Sequence, residues 1–205
     1  MTSSAPSSRR SRRDNLKLLP PILCALAVLC VGAYVLSSRG SAHTVAIDNP
    51  DGSRSRLNIE SLNGLELFNP RTGRAETFTL KAEKTLLFFV SGGDCPTCLD
   101  ERRVWEKLAR AADGQRFEVV GILVRTSPGE ARTFVKAYNP QFTLLLDSEN
   151  RIAQRTELPQ LTPFKFLVNQ RGEILMTDGP NNKSSAQEAF GEKMAVQIGL
   201  APAVR

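Results

Sequence analysis

Histidine is nearly missing from this chain and cysteine is scarce: one histidine, His43, and four cysteines stand among 205 residues. A structural zinc site needs about four ligands. Cys24 and Cys30 fall in an apolar N-terminal run, where they read as small apolar fillers. That leaves only Cys95 and Cys98, so zinc would require a dimer and no metal is expected. Net charge is also low over most of the chain, where basic and acidic residues are interspersed. Arg9, Arg10, Arg12, Arg13 and Lys17, against Asp14, put most of the formal +6 charge before residue 18. A basic tail on a near-balanced body argues against a nucleic-acid partner. No internal repeat is present, and 41% hydrophobic with 23% charged residues is a globular composition.

Charge is absent altogether from Leu18 to Leu36, "LLPPILCALAVLCVGAYVL". That is roughly the length a helix needs to cross a bilayer. Pro20 and Pro21 fall in its first turn, where a missing N–H costs least. The positive-inside rule keeps the arginines in the cytoplasm and exports everything after Ser37. Two readings of the segment stand. One is an uncleaved single-pass anchor in the cytoplasmic membrane. The other is a cleaved signal: "SRRDNLK" is similar to a twin-arginine signal, and Gly40-Ser41-Ala42 offers small residues for cleavage. Leu23 and Leu29, which precede the two cysteines where a small residue is needed, argue against a lipoprotein signal. The expected organisation is a basic cytoplasmic tail (1–17), a transmembrane anchor or uncleaved signal (18–37), a flexible tether (38–57) and a folded domain (58–200).

The folded part alternates between two periodicities. "LELFNPRTGRAETFTL" reads as a hairpin around Asn69-Pro70 and Thr72-Gly73. "TLLFFV" and "FEVVGILV" are short continuous apolar runs, suited to strands buried on both faces. Helical spacing runs from Pro96 to about Ala112. "SPGEARTFVKAY" opens as a helix, with Ser127 as N-cap, Pro128 first and Glu130 closing a capping box. "FTLLLD" is another strand, and a short helix is expected within Glu149–Leu158. "TPFKFLV" and "EILMTDG" form a hairpin about Asn169–Gly172, and Ser185–Ile198 a closing helix. The order β, β, β, α, β, α, β, α, β, β, α predicts an α/β domain with a central mixed sheet flanked by helices.

Cys95 and Cys98 sit in "SGGDCPTCLDE", directly after the first buried strand. As a structural staple the pair is weak, because loop-closure stabilisation grows with loop length and this loop is very short. A redox role has a positive mechanism. A cysteine just ahead of a helix opened by Pro96 faces unpaired N–H groups and the positive end of the helix dipole, and both favour thiolate. Cys98, one turn further in, is then the more buried and less acidic thiol. One sulfur attacks and the other resolves.

This strand–CxxC–helix context resembles the thioredoxin superfamily, and most closely its TlpA/ResA-like membrane-anchored members, over about residues 58–180. The likeness rests on the leading hairpin, "FFVSGGDCPTC", "SPGEARTFVKAY", "FTLLLDSENRIAQRTEL" and "LTPFKFLVNQRGEIL". It implies a thioredoxin-like fold preceded by one transmembrane helix. It also implies a cis peptide at Thr162-Pro163 facing the cysteines and contributing to substrate binding. Glu101, six residues after Cys95, matches the active-site glutamate of the family. The residues themselves leave Glu101 open between a solvated charge in "LDERR" and a proton acceptor for Cys98, with which it shares a helix face. Asp94 stands where the family has tryptophan, after Gly92-Gly93. With Pro96 and Thr97 it completes the active-site loop, and its negative charge should oppose the Cys95 thiolate and favour a reducing couple. Peroxiredoxins are excluded because Gly92 and Phe88 occupy the positions of their Thr and Pro, and Sco-type copper carriers because the domain has no histidine.

The function implied is thiol–disulfide oxidoreduction on the extracytoplasmic (periplasmic) side. Exported protein disulfides would be reduced, as in cytochrome c biogenesis, with a membrane electron donor as second partner. No cofactor is expected beyond the redox-active Cys95–Cys98 disulfide. The competing class is a non-catalytic binding protein or metal carrier on the same fold.

Overall fold

The two continuous apolar runs form neighbouring parallel strands at the heart of a seven-stranded sheet. In the computed structural model, which describes residues 44–94, 100–180 and 183–200, they are β5 (Lys84–Val90) and β6 (Phe117–Leu123). Ahead of them come β1 (Thr44–Asp48), β2 (Arg54–Asn58), β3 (Glu66–Asn69) and β4 (Arg74–Thr77). The strands β7 (Thr143–Leu146), β8 (Phe164–Asn169) and β9 (Ile174–Asp178) follow. The helices are α1 (Arg102–Arg110), α2 (Pro128–Tyr138), α3 (Arg151–Arg155) and α4 (Ser184–Gln197). The sheet order is β4-β3-β7-β6-β5-β8-β9, parallel across β5, β6 and β7 and antiparallel elsewhere. From β3 onward the order of elements is the one predicted.

Alternation along the strands divides the core into two layers. Leu87, Phe89, Val120, Ile122, Phe166 and Val168 face one side, where β1, β2 and α3 supply Ile47, Leu57 and Ile152. Leu86, Phe88, Val119, Leu123 and Leu167 face the other, against Trp105 and Leu108 of α1, Phe134 of α2, and Phe190 and Met194 of α4. The Trp105 ring stacks on Phe88 with centroids 4.1 Å apart, and Phe142 meets Phe88 edge-on. Gly121 makes room for this stack. A Cβ there would lie 2.7 Å from Phe88 Cε2 and 2.9 Å from Leu144 Cδ1.

Local chemistry sets the boundaries. The capping box of α2 forms as expected: the Ser127 hydroxyl accepts from the Glu130 N–H, and the Glu130 carboxylate accepts from the Ser127 N–H. The β8–β9 turn closes on Asn169, whose Oδ1 accepts from the N–H groups of Arg171 and Glu173, while Gly172 takes φ 81°.

One expectation is corrected. The stretch read as a flexible tether (38–57) contains β1 and β2, an antiparallel hairpin turning at Gly52 (φ 80°). Its few apolar residues alternate, so Ile47 and Leu57 reach the core, with Ser55 buried on the same side, while Arg54 and Arg56 face outward. The hairpin also hydrogen-bonds to residues about a hundred positions later. Arg56 N–H donates to Glu157 Oε2 at 2.7 Å and Asn58 N–H to Thr156 Oγ1 at 2.7 Å. Among the described residues no helix is long and apolar enough to cross a membrane. Residues 18–36 lie outside the described residues, as does His43.

Candidate active site

The register of β5 against β8 sets Phe89 opposite Phe164. The loop leaving β5 therefore lies beside Thr162-Pro163, which precedes β8 and has the cis peptide that the resemblance implied. Asp94 joins the two segments. Its carboxylate accepts from the Ser91 N–H at 2.8 Å through one oxygen and from the Thr162 hydroxyl through the other. Burial pushes the Asp94 carboxyl above the usual carboxylate range, against the Thr162 and Ser91 hydrogen bonds and the Arg125 charge. Gly92 tucks against β6's exit, where its N–H donates to Thr126 Oγ1 at 2.8 Å.

The Thr162-Pro163 loop is held from two further directions. Arg125 (φ 50°) donates to the carbonyls of Pro159 and Gln160 at 2.7 and 2.9 Å. From the β1–β2 hairpin, Asn49 Oδ1 accepts from the Gln160 N–H, and Asp51 accepts from the Gln160 amide at 2.7 Å. Four of the predicted site residues, Asp94, Thr162, Pro163 and Glu101, are thereby placed. Cys95, Pro96, Thr97 and Cys98 lie outside the described residues.

Glu101 is not a solvated charge. It is the N-cap of α1, with its carbonyl accepting from the Val104 N–H, and its side chain has 0% exposure. Facing it is a residue that sequence reasoning missed, Lys165 of β8, also 0% exposed. The Lys165 ammonium reaches Glu101 Oε1 at 2.8 Å and Oε2 at 2.9 Å, and donates to the Gly179 carbonyl at 2.6 Å. Asp178 Oδ2, directly across the β8–β9 ladder, lies 2.9 Å from the same ammonium, and the Phe190 ring lies 4.8 Å away. Burial raises the Glu101 carboxyl above its usual range, the Lys165 charge opposes that rise, and the Asp178 charge adds to it. The signal for Lys165 was present as the lone charge in the apolar run "TPFKFLV". A lysine in a strand buried on both faces is rarely left unpaired.

A carboxylate buried to this degree at neutral pH is a group able to exchange a proton with a neighbour. It stands three residues after the second cysteine of a CxxC, against β8 just beyond Thr162-Pro163. Residues 70–193 match the Redoxin family, and the chain belongs to that family and with it to the thioredoxin-like oxidoreductases. A secreted Mycobacterium tuberculosis disulfide oxidoreductase, homologous to E. coli DsbE, superposes with a TM-score of 0.54 at 23% identity, covering 67% of this chain and 98% of its own. MTB DsbF, solved in mixed oxidised and reduced forms, superposes with a TM-score of 0.52 at 18% identity, covering 68% and 97%. At these identities the two structures establish the fold. No curated protein matches the chain.

Proposed function

We propose that the protein is a TlpA/ResA-like thiol–disulfide oxidoreductase, anchored by residues 18–36 in the cytoplasmic membrane with its domain on the extracytoplasmic side. Its substrates are disulfides of exported proteins, with apocytochrome c before haem attachment the example that the resemblance supplies. The single observation that carries the reading is the fully buried Glu101 carboxylate three residues after Cys98.

The reaction balances as two exchanges. The Cys95 thiolate attacks one substrate sulfur, the substrate S–S bond breaks, and a mixed disulfide forms as the first substrate thiolate leaves. Cys98 then gives its proton to Glu101, and its thiolate attacks the Cys95 sulfur. The mixed disulfide breaks, the second substrate thiolate leaves, and the Cys95–Cys98 disulfide holds the two electrons' worth of oxidation. A membrane dithiol donor restores the reduced form, and no cofactor beyond the cysteine pair takes part.

Turnover of a model protein disulfide by the full-length protein tests the reading, together with trapping. Cys98→Ser should leave mixed disulfides on Cys95 that survive non-reducing gels. Equal trapping by Cys95→Ser, or stoichiometric binding without turnover, would overturn it.

A further inference from the structure

The Lys165 ammonium is over-subscribed. It has three N–H donors and four oxygens around it: two from Glu101 at 2.8 and 2.9 Å, Asp178 Oδ2 at 2.9 Å and the Gly179 carbonyl at 2.6 Å. Two carboxylates therefore compete for one cation. They do so unequally, because the Glu101 side chain has 0% exposure and the Asp178 side chain 32%. Asp178 can be rehydrated; Glu101 cannot. A buried lysine with one partner would neutralise that partner. A buried lysine shared with a second, half-solvated carboxylate neutralises it only in part.

We propose that Lys165 and Asp178 are positioning residues that act in opposite directions on Glu101: Lys165 holds its carboxylate ionised, and Asp178 draws the ammonium away from it and returns basicity to it. The inference rests on the proposed role of Glu101 as acceptor of the Cys98 proton. It extends that role to two residues that touch neither substrate nor cysteine in the chemistry described above.

The other groups around the carboxylate do not carry this effect. From its own helix, Trp105 contributes an indole. Arg102 is engaged elsewhere, with its guanidinium 4.3 Å from the Tyr138 ring and its Nε 3.2 Å from Glu106. Asp100 and Arg103 are exposed. α4 sets the Phe190 ring against the ammonium, while Lys183, Glu188, Glu192 and Lys193 are exposed. From β8 and β9 the facing charges are Lys165 and Asp178 themselves, and both appear among the influences on Glu101 with opposite signs.

The signs follow. Glu101 accepts a proton only when ionised, so the resolving step accelerates as pH rises through its titration. Without Lys165 the buried anion loses its counter-charge and holds its proton to higher pH, which moves that rise upward. Without the Asp178 charge, Glu101 is the one carboxylate left on the Lys165 ammonium, beside the neutral Gly179 carbonyl. The rise then moves downward, and the plateau falls because the carboxylate is a weaker base.

The test is stopped-flow reaction of the reduced full-length protein with an aromatic disulfide whose released thiol absorbs visibly. The first thiol reports attack by Cys95 and the second reports resolution by Cys98, followed from pH 5 to 9. Lys165→Met should move the rise of the second phase up by about one to three pH units and Asp178→Asn should move it down by about one. Lys165→Arg, which restores the charge, should bring it back towards wild type. Shifts of both variants in the same direction, or no shift in Asp178→Asn, overturn the proposal. Asp178→Asn sits at a partly exposed edge and decides alone if Lys165→Met does not fold. Absence of a second thiol in the wild-type protein would instead refute the proposed dithiol chemistry, which separates the two failures.

Discussion

Replacing Lys165 by methionine keeps most of the stem's volume and deletes the ammonium, leaving Glu101 fully buried with no cation. Breaking a buried ion pair by removing one partner costs on the order of 3–5 kcal/mol when the other charge must stay ionised. Glu101 can avoid part of this cost by keeping a proton. In the wild-type protein burial already raises its carboxyl above the ordinary 4.5, with Lys165 opposing. Removing Lys165 raises it further. Between pH 4.5 and that new value the folded variant binds a proton that the unfolded chain has lost, so its stability falls as pH rises. The fall is up to about 1.4 kcal/mol per pH unit. Below the unfolded value both states are protonated, and only the packing loss remains. With an added shift of about one to three units, the deficit of Lys165→Met should be larger at pH 8 than at pH 5 by about 1.4–4 kcal/mol. Urea unfolding of the reduced full-length protein at the two pH values measures it. Adding Glu101→Leu should abolish the pH-dependent part, since Asp178 is 32% exposed and can rehydrate. An equal deficit at both pH values would show that Lys165 matters for volume alone.

Two further outcomes are expected. Gly121→Ala should destabilise by about 1–3 kcal/mol, because its Cβ would sit 2.7 Å from Phe88 and 2.9 Å from Leu144 in a stacked core; an unchanged Tm would mean that the stack yields freely. Asp94→Asn should lower the Cys95 thiol's pKa by about one unit and make the couple more oxidising. Thiolate ultraviolet absorbance against pH checks this, and an upward shift would mean that the Ser91 and Thr162 hydrogen bonds, not the charge, govern the sulfur.

Much of the architecture was legible because it depends on short-range chemistry. Continuous apolar runs identify β5 and β6, Ser127 and Glu130 identify the start of α2, and Asn169–Gly172 identifies a turn. The β1–β2 hairpin was not legible. Only one face of it is buried, and two strands with few apolar residues each look like a polar linker until their partner surface exists. The site divides the same way. Spacing exposes the CxxC, and its context singles out Thr162-Pro163. The burial of Glu101 depends on a lysine 64 residues further on, and that lysine's second carboxylate depends on the register Lys165↔Asp178. No local pattern encodes either pairing.

The sheet order also has a consequence in time. β5, which leads into the cysteines, is flanked by β6 and by β8, and the second of these begins only at Phe164. A chain emerging from its N-terminus presents the dithiol and Glu101 long before Lys165 arrives. Contacts of such sequence separation form late and slowly. Until they form, Glu101 is a hydrated carboxylate of ordinary acidity, and the cysteines react as they would in any unfolded thiol peptide. A newly made chain thus passes through a stage in which it can be oxidised or mispaired before its own chemistry is in place. The reactivity of the completed domain is a property of its last forty residues as much as of the segment that carries the sulfur.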